Sequence, residues 1–110
     1  MKVDLCDDCN KIIMTLYRTE NMLRTLDIGI TYYNSEYTIP TGLTYVLEMK
    51  YPVTGEKSVN MTLHENKLSY TFTSDDTAKT GIIDCRIGII DNDSKIYTQH
   101  FKIKVKEVIS

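Results

Sequence analysis

Two cysteines near the N-terminus have a spacing that could bind a metal ion. In the segment Cys6-Asp7-Asp8-Cys9 the two thiolates stand three positions apart, which lets a pair grip one tetrahedral zinc ion. A zinc site needs further ligands, but the third cysteine falls on the core side of a strand and the two histidines are scattered. The flanking acids also disfavour a reactive thiolate. We therefore expect no metal here and interpret the segment as part of an acidic arm.

A second segment, Asp91-Asn92-Asp93-Ser94-Lys95, begins like a calcium-binding loop with oxygen ligands at alternate positions. Lys95 stands at the fifth position, Ile96 replaces the glycine of the sixth, and Lys102 replaces the bidentate glutamate. Aspartate, asparagine and serine are also typical of short hairpin loops, because they tolerate left-handed backbone and bond their own main chain. We interpret the segment as a turn.

Catalytic machinery is missing from the sequence. It contains no nucleophile elbow, no glycine-rich phosphate loop and no pair of carboxylates beside a histidine. The sequence therefore predicts a protein that is not an enzyme, with no catalytic residue and no cofactor.

Charge and hydropathy argue against nucleic acid and membrane partners. The net charge is −2, and acids and bases are balanced in both halves of the chain. A basic stripe on the last strand, His100, Lys102, Lys104 and Lys106, is then typical of a solvated face that resists aggregation. No apolar run approaches the roughly 20 residues that span a bilayer, and acids occupy the place of a signal-peptide core. We expect synthesis in the cytoplasm, with the odd set of three cysteines reduced.

Tyrosines are the side chains best suited to contact a partner. The chain has eight of them and no tryptophan, and a tyrosine ring offers a flat surface with one polar tip. Those that do not follow the inward alternation of a strand are the candidates. We identify Tyr33 and Tyr37 as candidate partner-binding residues, with either a protein or a glycan as the ligand.

These side chains must be positioned by strands, and the clearest strand pattern lies in residues 81–105. Alternate apolar residues fall on one face of each half of this segment, a period of two that indicates half-buried strands. The two halves are joined by the polar turn at residues 91–94, so they are expected to fold back as a hairpin. The residues of the buried face are Ile83, Cys85, Ile87 and Ile89, then Phe101, Ile103 and Val105.

Similar alternation predicts further strands at residues 26–32, 43–50, 59–64 and 68–73. A β-rich run whose inward face is ambiguous predicts a strand at residues 12–18, and residues 37–39 are a short extended piece that ends at Pro40. Capping residues predict a short helical turn at residues 74–81. In the strand at residues 26–32 Tyr32 falls on the inward side. Because no long crossover helix is present, we predict an all-β, antiparallel sandwich of about seven to nine strands with one helical turn. Residues 1–11 are predicted to be a flexible or extended arm, and residues 12–110 the sandwich domain.

The predicted core contains one to three residues from each of five strands: Leu26, Ile28, Ile30, Leu47, Tyr70, Phe72, Cys85, Ile87, Phe101 and Ile103.

Several runs of core and turn residues, spread over residues 12–108, also resemble a known family. The runs are Arg24-Thr25-Leu26-Asp27-Ile28-Gly29-Ile30, Ile39-Pro40, Glu48-Met49-Lys50-Tyr51-Pro52, Leu68-Ser69-Tyr70-Thr71-Phe72-Thr73, Cys85-Arg86-Ile87-Gly88-Ile89 and Tyr97-Thr98-Gln99-His100-Phe101-Lys102-Ile103-Lys104-Val105. In these runs the chain resembles the N-terminal domain of bacteriophage baseplate upper proteins.

The resemblance implies an immunoglobulin-like sandwich that serves as a non-enzymatic structural module of a phage tail baseplate. It would attach a fibre or receptor-binding protein to the tail hub, with other tail or baseplate proteins as partners and a homo-oligomer in the assembled particle. The location implied is the virion tail, after synthesis in the host cytoplasm. A glycan-binding or adhesion module is the alternative, since a β-sandwich with surplus tyrosine is a suitable platform for sugars.

Overall fold

The computed structural model describes residues 2–5, 11–18, 24–53 and 55–107. Within these ranges the chain forms eleven strands and no helix. The strands are β1 (Lys2–Asp4), β2 (Ile12–Tyr17), β3 (Thr25–Tyr32), β4 (Ser35–Glu36), β5 (Thr44–Tyr51), β6 (Gly55–Asn60), β7 (Thr62–His64), β8 (Lys67–Thr71), β9 (Gly81–Asp91), β10 (Ser94–Tyr97) and β11 (Phe101–Lys106).

The strands form two sheets arranged as a sandwich, which confirms the predicted fold class. One sheet has the order β2-β11-β9-β5-β6, with β10 also paired to β9. The other has the order β1-β3-β8-β7, with β4 paired to β3. Apolar side chains alternate along the central strands, so each sheet has one buried face and the two faces share one core.

The long strand β9 is the centre of the six-stranded sheet. It pairs with β5 along one edge, and with β11 and then β10 along the other. The predicted hairpin is therefore present, but its second half is interrupted at residues 98–100. Thr98 bridges this gap, because its N–H donates to the Ile87 carbonyl at 2.9 Å and its hydroxyl accepts from the Ile87 N–H at 3.0 Å.

Nine of the ten residues predicted for the core are buried. The exception is Tyr70, which is half-buried. Its ring packs against Phe72 in an edge-to-face contact, while its hydroxyl donates to a carboxylate of the loop that follows β8. A tyrosine at the margin of a core commonly keeps its polar tip on such a partner.

Two details of the prediction were wrong, and both concern connections. The sheets are mixed and not purely antiparallel, because β1 pairs with β3 and β2 pairs with β11 in parallel. Neither pair is consecutive in the chain, so the connection between partners is made of other strands and needs no crossover helix. Residues 74–77 form turns instead of a helical turn, with the Asp76 N–H bonded to the Thr73 carbonyl.

The N-terminal residues take part in the fold. Strand β1 lies beside β3 and places Val3, which is 1% exposed, in the core. Residues 6–10, which include the predicted arm segment with Cys6 and Cys9, lie outside the described residues. The domain boundary at residue 11 stays a prediction.

The burial of Cys85 leads to a first prediction. Its side chain points into the core, and burial together with the nearby Asp84 carboxylate raises the pKa of the thiol well above its ordinary value. Iodoacetamide applied to the native protein should therefore leave Cys85 unmodified, and should modify it once urea unfolds the chain. Peptide mass spectrometry measures this. Cys6 and Cys9 are expected from the sequence to react first, and equal labelling of all three in the native protein would show that the β9 alternation is wrong.

Candidate partner-binding site

The hairpin between β3 and β4 turns through only two residues, Tyr33 and Asn34. Thr31 lies opposite Glu36 and Tyr32 opposite Ser35, and the two turn residues have φ values of 48° and 66°. Positive φ at both positions defines the tight hairpin turn whose twist matches that of its strands. Asparagine adopts this left-handed backbone readily, but a bulky side chain such as that of Tyr33 does so at a cost. We call residues 31–36 the tyrosine hairpin.

A buried carboxylate holds the tyrosine hairpin in this shape. Asp4, at the end of β1, is only 6% exposed. Its Oδ1 accepts hydrogen bonds from the Thr31 hydroxyl at 2.6 Å and the Asn34 N–H at 2.9 Å, and its Oδ2 accepts one from the Tyr33 N–H at 3.3 Å. A buried carboxylate needs such donors to offset its loss of hydration. The N-terminal strand therefore fixes the turn that presents the tyrosines.

Two aromatic rings project from the tyrosine hairpin into solvent. Tyr32 is 49% exposed and Tyr33 is 62% exposed, and their rings meet edge to face with centroids 4.8 Å apart. Aromatic pairs of this geometry stabilise each other by about 0.5–1.5 kcal/mol. The hairpin thus carries a pre-arranged pair of amphipathic rings that little of the domain covers.

The two predicted partner-binding residues differ in exposure. Tyr33 is exposed at the turn, whereas Tyr37 is half-buried and packs against the core. The Tyr37 N–H donates to the Ile30 carbonyl at 3.0 Å, and its own carbonyl accepts from the side-chain amide of Asn66 at 3.2 Å. Tyr37 is therefore anchored to the fold. That either tyrosine binds a partner stays a prediction.

Sequence reasoning missed two members of this site. Alternation placed Tyr32 on the inward side, but Tyr32 is 49% exposed. Thr31, on the opposite side of the strand, is buried, and its hydroxyl bonds Asp4. Asp4 itself was passed over as part of an acidic arm. Two features of the sequence could have indicated the site. Asp4 stands between the apolar residues Val3 and Leu5, as in a strand, and Asn34, a residue typical of hairpin turns, directly follows Tyr33.

A second buried carboxylate, Asp76, lies in the loop after β8 and is fully buried. Its Oδ1 pairs with the Lys57 ammonium of β6, and its Oδ2 accepts from the Tyr70 hydroxyl at 2.6 Å and from the Thr73 N–H at 2.8 Å. The Asp76 backbone carbonyl accepts from the Tyr51 hydroxyl of β5 at 3.1 Å. These contacts reach both sheets.

The charges around Asp76 shift three ionisation equilibria. Burial alone would raise the pKa of Asp76, but the hydrogen bonds from Lys57, Thr73 and Tyr70 and the attraction of the Lys57 charge hold it below its ordinary value. Burial and the Asp76 charge, with a smaller contribution from Cys85, raise the pKa of Tyr51 to about 12. Burial, the hydrogen bond to Asp76 and the charges of Asp76 and Tyr51 raise the pKa of Tyr70.

This cluster links the two sheets. Each oxygen of the Asp76 carboxylate accepts from a protein donor, Oδ1 from Lys57 and Oδ2 from Tyr70 and Thr73. The tyrosines stay protonated and serve as donors. We call this cluster the Asp76 clasp, formed by Tyr51, Lys57, Tyr70, Thr73 and Asp76.

The outer face of the six-stranded sheet carries a third group of interacting side chains. Arg86 of β9 pairs with Glu48 of β5 at 2.8 Å, and its guanidinium lies 3.9 Å above the centre of the Tyr97 ring. The Tyr97 ring covers Gly88, where an added Cβ would lie 2.8 Å from a ring carbon. A glycine is therefore needed at this position, and the group rigidifies the sheet surface. Glu48 and Arg86 also line a shallow pocket of about 390 Å³ on this face.

The described ranges contain no group of three or more histidine, cysteine, aspartate or glutamate side chains arranged to hold a metal ion. A groove of about 640 Å³ is open to solvent between residues 38–43 and the β7–β8 hairpin. Among the same residues no helix is long and apolar enough to cross a membrane.

Comparison with known proteins identifies a family and solved structures of similar fold. A family model described as the BppU N-terminal domain matches residues 1–109. A solved structure described as the N-terminal domain of phage TP901-1 ORF48 superposes with a TM-score of 0.75, covering 96% of this chain and 94% of that one at 10% identity. At this identity the likeness concerns the fold. Among curated proteins, none matches the sequence.

The role of Asp4 can be tested by substitution. Asp4→Ala leaves the N–H groups of Tyr33 and Asn34 and the Thr31 hydroxyl without their acceptor, so we expect a loss of about 2–3 kcal/mol in the free energy of unfolding. Asp93→Ala, at an exposed turn, is the control and should cost less than about 0.5 kcal/mol. Urea denaturation measures both. Equal stability of the two variants would show that the carboxylate does not hold the hairpin.

The Asp76 clasp predicts a pH dependence of stability. The pKa of Asp76 is lower in the folded protein than in the unfolded chain. The ionised carboxylate therefore contributes to the free energy of unfolding above about pH 4, and this contribution is lost as the pH falls through the pKa of the folded state. Asp76→Asn should therefore lower the free energy of unfolding by on the order of 3 kcal/mol near pH 7. The difference in this free energy between the variant and the wild type should become smaller as the pH falls. Asp75→Asn, whose side chain is exposed, is the matched control. If the difference in free energy of unfolding stays constant from about pH 7 to pH 3, the pKa of Asp76 is not lowered by folding.

Proposed function

The chain belongs to the BppU N-terminal domain family of phage baseplate upper proteins, and from this membership we propose that it attaches a fibre or receptor-binding protein to the tail hub. The role of this family in the baseplate is structural, which places the chain in the virion tail with other tail and baseplate proteins. The proposal specifies what the domain joins and where it binds.

The tyrosine hairpin is the observation that supports this proposal. A bulky residue in left-handed backbone costs roughly 1–2 kcal/mol, and Tyr33 keeps that conformation while exposing most of its ring. Folding alone does not explain such a residue, since a glycine at this position would remove the strain. Strained and exposed residues cluster at functional sites. The Tyr32–Tyr33 pair is therefore the docking surface that we propose.

The chemistry of the hairpin suits a protein partner. Tyrosines supply much of the energy at protein interfaces because each buries a large area with little loss of side-chain freedom. One such surface is expected to bury no more than roughly 800 Å² per partner, so a single copy should bind modestly. Firm attachment in a particle would then come from several linked copies in a homo-oligomeric assembly, each raising the effective concentration of the next.

Glycan binding is the weaker candidate. Sugars stack on the flat face of an aromatic ring, whereas the Tyr32 and Tyr33 rings are inclined at 74° and contact each other edge to face. The pair therefore offers no continuous platform. Specific binding of this domain to a glycan array would nevertheless reverse the order of the two candidates.

We also infer that the domain is not an enzyme. The Asp76 clasp is the densest cluster of titratable groups in the described part of the chain, and its carboxylate oxygens are already bonded to protein donors. The domain is proposed to act by binding alone.

A substitution at the turn separates docking from folding. Tyr33→Gly removes the ring and relieves the left-handed strain, so we expect stability equal to that of the wild type or up to about 1 kcal/mol higher. We expect docking to be lost, because the variant has no ring at the proposed surface. The measurement is co-expression with the tail-hub and fibre proteins encoded beside it, followed by pull-down, with urea denaturation to record stability.

The β7–β8 hairpin provides a matched control. Its turn residues Glu65 and Asn66 have φ values of 50° and 61°, close to those of Tyr33 and Asn34. Glu65→Gly should therefore change stability as Tyr33→Gly does, while leaving docking intact. If both variants are retained by the hub and fibre proteins like the wild type, the tyrosine hairpin is not the docking surface.

A further inference from the structure

The strand edges of the two sheets are protected to different degrees. An exposed edge invites pairing with another chain, and folded proteins commonly blunt it with short strands or with charges that point inward. Strands β1 and β7 have three residues each, and β10 has four. Strand β6 carries Lys57 on its inner side, paired with Asp76. These edges are therefore poor templates for an added strand.

Strand β2 lacks these protections. It lies at the end of the six-stranded sheet, beyond β11, and no described strand pairs with its outer edge. It has six residues, Ile-Ile-Met-Thr-Leu-Tyr, with no charge and no proline. Its first and last residues, Ile12 and Tyr17, are 48% and 40% exposed. A bulge occurs at its beginning, and residues 14–17 continue in regular register.

The outer edge of β2 has backbone groups available for pairing. The Arg18 N–H donates to the Lys106 carbonyl, so this N–H faces β11. Because N–H and C=O groups of successive residues point to opposite edges of a strand, those of Thr15 and Tyr17 face away from β11. Each of these two residues can give one donor and one acceptor to an added strand.

Two lysines beside the outer edge of β2 indicate that an added strand would be acidic. In the ladder Lys104 lies next to Thr15, and Lys106 lies next to Tyr17. The other ladder neighbour of Lys104 is Ile82, so no acid stands opposite it. Within the described ranges neither lysine forms an ion pair. Neighbouring strands lie about 4.8 Å apart, and a lysine side chain is long enough to reach over the short Thr15 toward the next strand.

We propose that the outer edge of β2 accepts an extended acidic segment of another protein as an added β-strand. The segment would bond the backbone of Thr15 and Tyr17, and its carboxylates would face Lys104 and Lys106. Main-chain bonds supply affinity in this mode of recognition, and alternate side chains supply selectivity. This proposal does not depend on the tyrosine hairpin, which lies on the other sheet.

A second copy of this chain fits the edge less well. Pairing β2 with β2 of another copy would place two lysine stripes on the same face of one continuous sheet, separated by only the two β2 strands. The two β11 strands would lie about 14 Å apart, but lysine side chains that reach toward the added strand would bring their ammonium groups within the screening length of about 8–10 Å, where like charges repel. An acidic segment removes this repulsion and replaces it with attraction.

The test uses a fluorescent synthetic peptide of about seven residues that alternates glutamate and valine, titrated into the full chain by fluorescence anisotropy. We expect saturable binding with a Kd between roughly 10 µM and 1 mM, and amide shifts in NMR spectra confined to β2 and β11. Thr15→Pro should weaken binding at least tenfold, whereas Thr15→Ala, which keeps the N–H, should not. Proline is tolerated at an edge position whose N–H faces solvent, so the variant should fold.

Charge and backbone are tested separately. Lys104→Glu should weaken binding at least tenfold, while Lys67→Glu on the other sheet and Tyr33→Gly should leave it unchanged. A peptide of lysine and valine should bind at least tenfold more weakly, and so should the acidic peptide methylated on the backbone nitrogens of one edge. If Thr15→Pro does not fold, the methylated peptide still shows whether binding depends on main-chain hydrogen bonds.

Four results would overturn the proposal. They are the absence of saturable binding at millimolar peptide, equal binding of the lysine peptide, equal binding of the methylated peptide, and equal binding by folded Thr15→Pro. Concentration-dependent dimers in sedimentation experiments, abolished by Thr15→Pro, would show instead that a second copy occupies the edge.

Discussion

A carboxylate taken out of water must have its oxygens satisfied by donors, and this constraint shapes the domain at two places. At Asp4 it draws the Thr31 hydroxyl and two turn N–H groups toward β1, which fixes the tyrosine hairpin. At Asp76 it draws Lys57 of one sheet and Tyr70 of the other to the same loop. Strand pairing orders each sheet, but these two carboxylates hold the connecting segments in place, and the surface that we propose for docking depends on the first.

The central strands could be predicted from the sequence because their side chains obey a period of two. Ile83, Cys85 and Ile87 of β9 are buried as the alternation predicts, and the same rule located β3, β5 and β8. A strand with two paired edges and one buried face has little freedom to deviate from this pattern, since a shift of one residue would expose its whole apolar set. The resemblance to baseplate upper proteins rested on these same residues, and the family match confirmed it.

The remaining features depend on contacts between distant residues, which periodicity does not encode. Asp4 and Thr31 are 27 positions apart, and their hydrogen bond lies on the side of β3 that alternation predicted to be exposed. The parallel pairing of β2 with β11 joins the beginning of the domain to its end, and local patterns contain no information on that partner. Tyr33 was chosen as a candidate because it lies outside the strand alternation, whereas the strain at its backbone became visible only with the turn geometry.

The proposed docking surface of this baseplate domain is the exposed Tyr32–Tyr33 pair, on a left-handed turn that the buried Asp4 holds in place. Cryo-electron microscopy of an assembled baseplate that contains this chain would show which surface each copy buries. We expect a neighbouring protein to cover the rings of Tyr32 and Tyr33 while the left-handed turn is preserved. A map in which both rings face solvent in every copy, with the contacts formed elsewhere on the domain, would show that this pair is not the docking surface.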